Sequence, residues 1–124
     1  MKQPTLEQLI AKWKFSAVNP KITAKNFPPP KEIKTDFKLY HFNYGISSED
    51  AIKEMKKDGY RSVNLYELLS WKDWNKRDLV VALGQVEGDS VPCLYRHDAG
   101  RDLLLHWCED VWNVDYRFLG TTTE

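Results

Sequence analysis

The side chains best suited to binding lie within residues 107–117. This segment combines aromatic rings with carboxylate, amide and guanidinium groups: Trp107, Glu109, Asp110, Trp112, Asn113, Asp115, Tyr116 and Arg117. Protein-binding hot spots favour rigid aromatic surfaces beside hydrogen-bonding groups. We therefore predict a non-enzymatic recognition module that binds a protein through this segment, with help from Trp71 or Trp74. The alternative is that Trp107 and Trp112 are core residues beneath a loop whose acidic side chains face water.

Metal binding is weakly supported by the same residues. Glu109, Asp110, Asn113 and Asp115 supply part of a calcium shell, but calcium needs about six to eight oxygens and no EF-hand spacing is present. His97, His106, Cys93 and Cys108 lack the paired two-residue spacing that is typical of zinc sites. We expect no metal and no cofactor, while calcium at the four oxygen-bearing side chains stays open.

A thiol nucleophile is the basis of a competing hypothesis. His106 and Cys108 would lie about 7 Å apart on one side of a strand that continued past Trp107. Activation of a thiol needs a helix N-terminus or a third group, and the sequence identifies neither. A pocket of His106, Cys108, Asp110 and Arg117 would instead make the chain a small enzyme or a protein that sequesters a nucleotide-like small molecule.

Nucleic acid is the weaker partner hypothesis. Trp13, Phe15 and Phe27 are interleaved with lysines 12, 14, 21 and 25, a mixture that binds single strands by stacking and charge. Residues 1–38 hold eight basic and three acidic side chains, a net charge of +5. The whole chain has a formal net charge of zero, which favours Trp13 as a core residue of a helix. Residues 84–89 lack the spacing of a phosphate-binding loop.

Three helices are predicted ahead of the strands. Thr5 caps the first helix, with Gln8 completing a capping box and an inward stripe of Leu6, Leu9, Ile10 and Trp13. The second helix starts at Ser47 or Ser48, turns Ala51, Ile52 and Met55 inward, and ends at Gly59. The third is capped by Asn64 with Glu67, packs Leu65, Leu68 and Leu69 inward, carries Trp71 or Trp74 near its end, and closes over residues 71–77.

The strands follow a different periodicity. A first strand is predicted at residues 37–43, after a proline-rich strap over residues 19–34. Four antiparallel strands are predicted at residues 79–83, 91–96, 103–107 and 116–119, with turns at 87–89 and 97–100. If the second turn pairs Arg96 with Arg101, Cys93 faces Leu104 and Cys108 faces Asp89, which is too far apart for a disulfide.

These elements predict an α+β fold with two or three helices packed on a C-terminal antiparallel β-meander. A chain of 124 residues is the size of one domain. We expect a helix and proline-rich strap over 1–35 and an α+β core over 36–120. Two cysteines, no apolar leader and no run of roughly 18 apolar residues predict a soluble, intracellular, cytoplasmic protein without a membrane segment. The oligomeric state stays open.

Residues 59–68 carry a resemblance to a known family. They are Gly59, Tyr60, Arg61, Ser62, Val63, Asn64, Leu65, Tyr66, Glu67 and Leu68. This stretch resembles the glycine-tyrosine-arginine-leucine-proline-threonine-x-x-glutamate-tryptophan motif of C-type-lectin-like domains, as in formylglycine-generating-type proteins and retroelement variable proteins. The order of predicted elements over residues 36–120 is similar too. The segment departs from the motif at Ser62, Val63 and Leu68.

The resemblance implies a fold whose loops bind proteins or sugars. The family's tryptophan-asparagine-aspartate calcium motif is present only as Trp112, Asn113, Val114 and Asp115, so calcium binding is not carried over. The same residues are similar to small uncharacterised bacterial and mobile-element proteins with related glycine-tyrosine-arginine and arginine-phenylalanine-leucine segments. That resemblance implies a mobile-element product that sequesters or blocks a host factor.

Overall fold

The computed structural model describes residues 3–74, 79–97, 100–108 and 111–123. The helices in these residues are α1 (Leu6–Trp13), α2 (Ser48–Lys57) and α3 (Leu65–Ser70). The strands are β1 (Ala17–Val18), β2 (Phe37–His41), β3 (Ile46–Ser47), β4 (Tyr60–Ser62), β5 (Leu79–Val81), β6 (Ser90–His97), β7 (Gly100–Trp107), β8 (Val111–Trp112) and β9 (Tyr116–Thr122). The α+β class is confirmed.

Helix α1 begins as its sequence predicts. The Thr5 hydroxyl accepts a hydrogen bond from the Gln8 amide, and the Gln8 side chain accepts one from the Thr5 amide, which forms the capping box. Leu6 and Leu9 are buried against α3, and the helix ends at Lys14 in a left-handed conformation. The apolar stripe therefore sets which face of α1 meets the core.

Helix α2 confirms its predicted caps but corrects one inward residue. Ser47 caps its N-terminus and Gly59, with a φ of 82°, follows its C-terminus. Ala51 and Met55 are fully buried, whereas Ile52 is 42% exposed. Ala51 and Met55 lie one turn apart on the face toward the sheet, and Ile52 is rotated from Ala51 by about 100° around the helix axis. The prediction that Ile52 packs inward was wrong.

Helix α3 is shorter than its sequence predicts. Asn64 and Glu67 form the expected capping box, but the helix stops at Ser70 because Trp71 adopts an extended conformation. The Trp71 amide still donates to the Glu67 carbonyl oxygen. Trp71 and Trp74 thus lie beyond the end of the helix, and residues 75–77, predicted to close it, fall outside the described residues.

The strands form a mixed sheet rather than a β-meander. The main path runs β1-β7-β6-β5-β9-β2, with β4 also paired to β9. The β5–β6 and β6–β7 pairs are antiparallel as predicted, but β5 pairs with β9 in parallel, and so does β1 with β7. The last strand returns across the sheet to lie between β5 and β2. Its apolar pattern predicts a strand but does not encode which neighbour it pairs with.

The sheet divides the apolar residues into two clusters. Cluster 1 lies on the face covered by α1, α3 and the strap, and it includes Leu9, Phe27, Leu68, Leu94 and Leu119. Cluster 2 lies on the face covered by α2, and it includes Met55, Val81, Cys93, Trp112 and Phe118. Strand residues contribute alternately to the two clusters, as expected for a sheet that is buried on both faces.

The strap is held to cluster 1 by hydrogen bonds as well as by packing. The Tyr66 hydroxyl donates to the Phe27 carbonyl oxygen at 2.7 Å, and the Gln85 amide nitrogen donates to the Pro28 carbonyl oxygen at 2.8 Å. The N-terminal helix and strap therefore pack against the α+β core. In the part of the chain that the structure describes, no helix has the length and apolar character needed to cross a bilayer.

Candidate functional site

The 107–117 loop, which joins β7 to β9, is held in place by a short second sheet. Its strand β8 pairs antiparallel with β3, so that Val111 lies opposite Ser47 and Trp112 opposite Ile46. The Ser48 hydroxyl accepts a hydrogen bond from the Trp112 indole at 2.8 Å and donates one to the Cys108 carbonyl oxygen at 2.6 Å. One serine at the start of α2 thus ties both sides of the loop to the core.

Trp112 is a core residue of this loop. It is only 1% exposed, and its ring lies 4.6 Å from that of His106, 4.9 Å from Tyr116 and 6.0 Å from Phe118. The core alternative therefore describes Trp112, and its indole is not a surface that a partner can reach while this fold is intact. Its contribution is to fix the path of the loop.

Trp107 is the exposed aromatic residue of the same loop. It is 62% exposed, and it lies at the end of β7. Leu103 and Leu105, at alternate positions on the same face of β7, pack in or against cluster 1. Because the sheet's helical cover does not bury position 107, the indole stands in solvent. The core alternative does not describe Trp107.

Two exposed valines belong to the same loop as Trp107, and sequence reasoning missed both. Val111 is 67% exposed and Val114 is 46% exposed. The exposure of Val111 could have been predicted from its position beside Trp112. Adjacent strand residues point to opposite faces, so an inward Trp112 places Val111 outward. Val114 follows Asn113 in a turn, and its carbonyl oxygen lies 2.7 Å from the His41 Nε2.

Tyr44 extends the exposed apolar surface toward β3. It is exposed, and its ring packs 6.1 Å from that of Phe42. A Cβ atom on the neighbouring Gly45 would lie 3.1 Å from Val111 Cγ1, which shows how closely this turn approaches β8. A side chain at position 45 would require Val111 to shift by a few tenths of an ångström.

The polar residues of the loop shape its final turn. The Asn113 side-chain oxygen accepts a hydrogen bond from the Asp115 amide at 2.9 Å, and the Asn113 carbonyl oxygen accepts one from the Tyr116 amide. Tyr116 is half-buried against cluster 2, and this desolvation raises the pKa of its hydroxyl. Glu109 and Asp110, predicted to join the site, lie outside the described residues.

The competing pocket is divided by the sheet. His106 and the half-buried Cys108 lie on the cluster 2 side, where the His106 ring contacts Trp112 and Tyr116. In β9, the neighbours of Arg117, Tyr116 and Phe118, pack on the cluster 2 side. Leu119, two residues further on, belongs to cluster 1. Because side chains alternate along a strand, Arg117 points to the cluster 1 face with Leu119. His106, Cys108 and Arg117 therefore do not converge.

The two cysteines occupy the predicted register and are not joined in a disulfide. Cys93 lies opposite Leu104, Arg96 opposite Arg101, and the Cys108 amide donates to the Asp89 carbonyl oxygen. Burial raises the pKa of the Cys93 thiol to about 12, so this group is not a nucleophile near neutral pH. Among the described residues, no three His, Cys, Asp or Glu side chains lie close enough together to hold a metal ion.

Trp71 and Trp74 are separated from the 107–117 loop core. Both are buried in cluster 1, whereas Trp112 belongs to cluster 2 on the opposite face of the sheet. Trp71 and Trp74 therefore do not pack with Trp112, and their contribution to binding by the loop stays a prediction. They instead line a groove at the end of α3 with Trp13.

Residues 59–68 contain a buried hydrogen-bond network centred on Glu67. The fully buried Glu67 carboxylate accepts a bidentate pair of hydrogen bonds from Arg61, each 2.8 Å long, and two more from the backbone amides of Lys34 and Asn64. The pairing with the carboxylate raises the pKa of Arg61. One side chain thus connects β4, α3 and the strap, which gives the arginine and glutamate of this stretch a packing role.

Comparison with known proteins gives no match: no family model, no curated protein and no solved structure is significantly similar to this chain.

Proposed function

We propose that this chain is a non-enzymatic recognition module that binds a protein partner through the 107–117 loop. The observation that carries the proposal is the exposure of Trp107 and Val111, 62% and 67%, on a loop whose base is fixed by the buried Trp112. Large apolar side chains that stand in solvent on an ordered support are typical of protein-binding surfaces. The anchors proposed here are Trp107, Val111 and Val114, with Trp112 as their support.

The contacts that hold the described residues of the loop support the same proposal. The Ser48 hydroxyl bonds both the Trp112 indole and the Cys108 carbonyl oxygen, and β8 pairs with β3. A binding loop that is already ordered loses less conformational entropy when its partner docks. The exposed Asn113 and Asp115 would form the polar rim around the apolar anchors.

We also propose that residues 36–120 adopt a C-type-lectin-like arrangement. A strand, two helices and a set of strands follow one another in the order that the resemblance implies, and the first and last of these strands, β2 and β9, are paired. Within that proposal, the role we propose is a mobile-element product that blocks a host factor, because His106, Cys108 and Arg117 do not converge.

Affinity capture with matched variants tests the function. Wild type, Trp107→Ala, Val111→Ser and the control Ile52→Ser are used to capture proteins from an extract of the cells that produce the chain. Ile52 is also an exposed apolar residue, but it lies on α2. We expect a protein that wild type and Ile52→Ser retain and that both loop variants lose. Equal retention by all four, or no retained protein, would contradict the proposal.

A further inference from the structure

A groove on the cluster 1 side of the sheet joins the ends of α1 and α3 to β7. Its volume is about 250 Å³, and its apolar wall consists of Trp13, Leu69, Trp71 and Trp74. Three cationic side chains complete the lining: Lys12 from the last turn of α1, Lys72 just after α3, and Arg101 from β7. The groove is remote in the fold from Trp112, which lies in cluster 2.

The charge of the groove is one-sided. Among the described residues, no acidic side chain lines the groove, and no ion pair uses Lys12, Lys72 or Arg101. In a chain with a formal net charge of zero, three cations around one depression that form no ion pair with a described residue are a local feature rather than a consequence of composition. A cleft lined by one sign of charge attracts a ligand of the opposite sign.

The aromatic wall is held in a fixed arrangement. The Trp13 indole donates a hydrogen bond to the Leu69 carbonyl oxygen at 2.7 Å, which joins α1 to the end of α3. Its ring is stacked on Phe15 with centroids 5.4 Å apart and lies 5.6 Å from the Trp74 ring. The Arg101 guanidinium lies 5.8 Å from the Trp13 ring centroid. Flat apolar surfaces and positive charge therefore meet within one site.

We propose that this groove binds a nucleotide, with the base against the indoles and the phosphate between Lys12, Lys72 and Arg101. Aromatic side chains bind bases of any sequence by stacking, and Lys and Arg neutralise phosphates. A volume of about 250 Å³ is on the scale of one nucleotide unit, and a base can stack on the indoles only when it is not stacked within a double helix. The nucleotide is either free or one unit of a single strand, because both present the same base and phosphate.

Tryptophan fluorescence titration tests the site directly. The probes are a nucleoside 5′-monophosphate, a single-stranded oligonucleotide of about ten nucleotides, the matching duplex and an acidic peptide. Wild type is compared with Lys72→Glu, Arg101→Glu and the control Lys56→Glu. The control makes the same change of charge on α2, across the sheet. Circular dichroism checks that each variant is folded.

We expect Lys72→Glu and Arg101→Glu to weaken binding roughly tenfold and to lower the salt dependence of the affinity by about one phosphate contact. Lys56→Glu should bind like wild type. Binding of the monophosphate as tightly as the oligonucleotide assigns a free nucleotide, whereas binding of the oligonucleotide alone assigns a single strand. Failure of both to bind, equal weakening by the control, or equally tight binding of the duplex or the acidic peptide would overturn the proposal.

Discussion

At the scale of single residues, hydrogen bonding and exposure distinguish the side chains that stabilise the fold from those that can bind a partner. The Trp112 indole nitrogen donates a hydrogen bond to Ser48. The Glu67 carboxylate accepts hydrogen bonds from the strap, from β4 and from the residue that caps α3. Trp107 packs its ring into neither cluster. A residue whose polar atoms are satisfied inside the fold contributes to stability, whereas an exposed apolar residue is free to bind.

Removing the partner of Glu67 is expected to destabilise the fold strongly. Arg61→Met takes away both guanidinium hydrogen bonds and leaves a fully buried carboxylate with only its backbone donors. We expect a loss of about 2–3 kcal/mol in the free energy of unfolding, measured by urea denaturation. Lys57→Met is the control, because it breaks an exposed ion pair with Glu54 and should cost under about 0.5 kcal/mol. Equal losses would contradict the role assigned to Glu67.

At the scale of elements, local signals predicted the helices well and the sheet less well. Thr5 with Gln8, Ser47 with Gly59, and Asn64 with Glu67 are short-range signals, and each marks an observed helix end. The register of the β6–β7 hairpin also follows from its turn. The parallel pairing of β5 with β9 joins residues far apart in the chain, and no local pattern determines it.

Asp36 joins the first strand of the core to the last. Its carboxylate accepts hydrogen bonds from the hydroxyls of Thr122 and Thr121 at the end of β9, which lower its pKa from 3.8 to about 2. Since the folded pKa lies below the unfolded one, Asp36 stabilises the fold fully above about pH 4 and loses this effect as the pH falls toward 2. We expect urea midpoints to fall less for Asp36→Asn than for wild type between about pH 5 and pH 2. An identical pH dependence would show that the two hydroxyls do not stabilise the charged form.

At the scale of the whole molecule, the chain carries two surfaces of different chemistry. The 107–117 loop is braced by cluster 2 and α2, while the cationic groove lies among α1, α3 and β7. The sequence predicted the loop as a binding segment but did not distinguish its anchors from its support. Exposure depends on which face each strand residue occupies, and this requires the register of β8 against β3. The sequence did not predict the groove, because its lining residues come from three segments that are distant in the chain.

Photo-cross-linking from the loop tests the central claim most directly. A benzoylphenylalanine placed at Val111 is compared with one at Ile52, since both positions are exposed and apolar. We expect a protein to be cross-linked from position 111 and not from position 52, and the product to disappear when Trp107→Ala is added. Cross-linking that is equal from both positions, or that survives Trp107→Ala unchanged, would contradict recognition through the 107–117 loop.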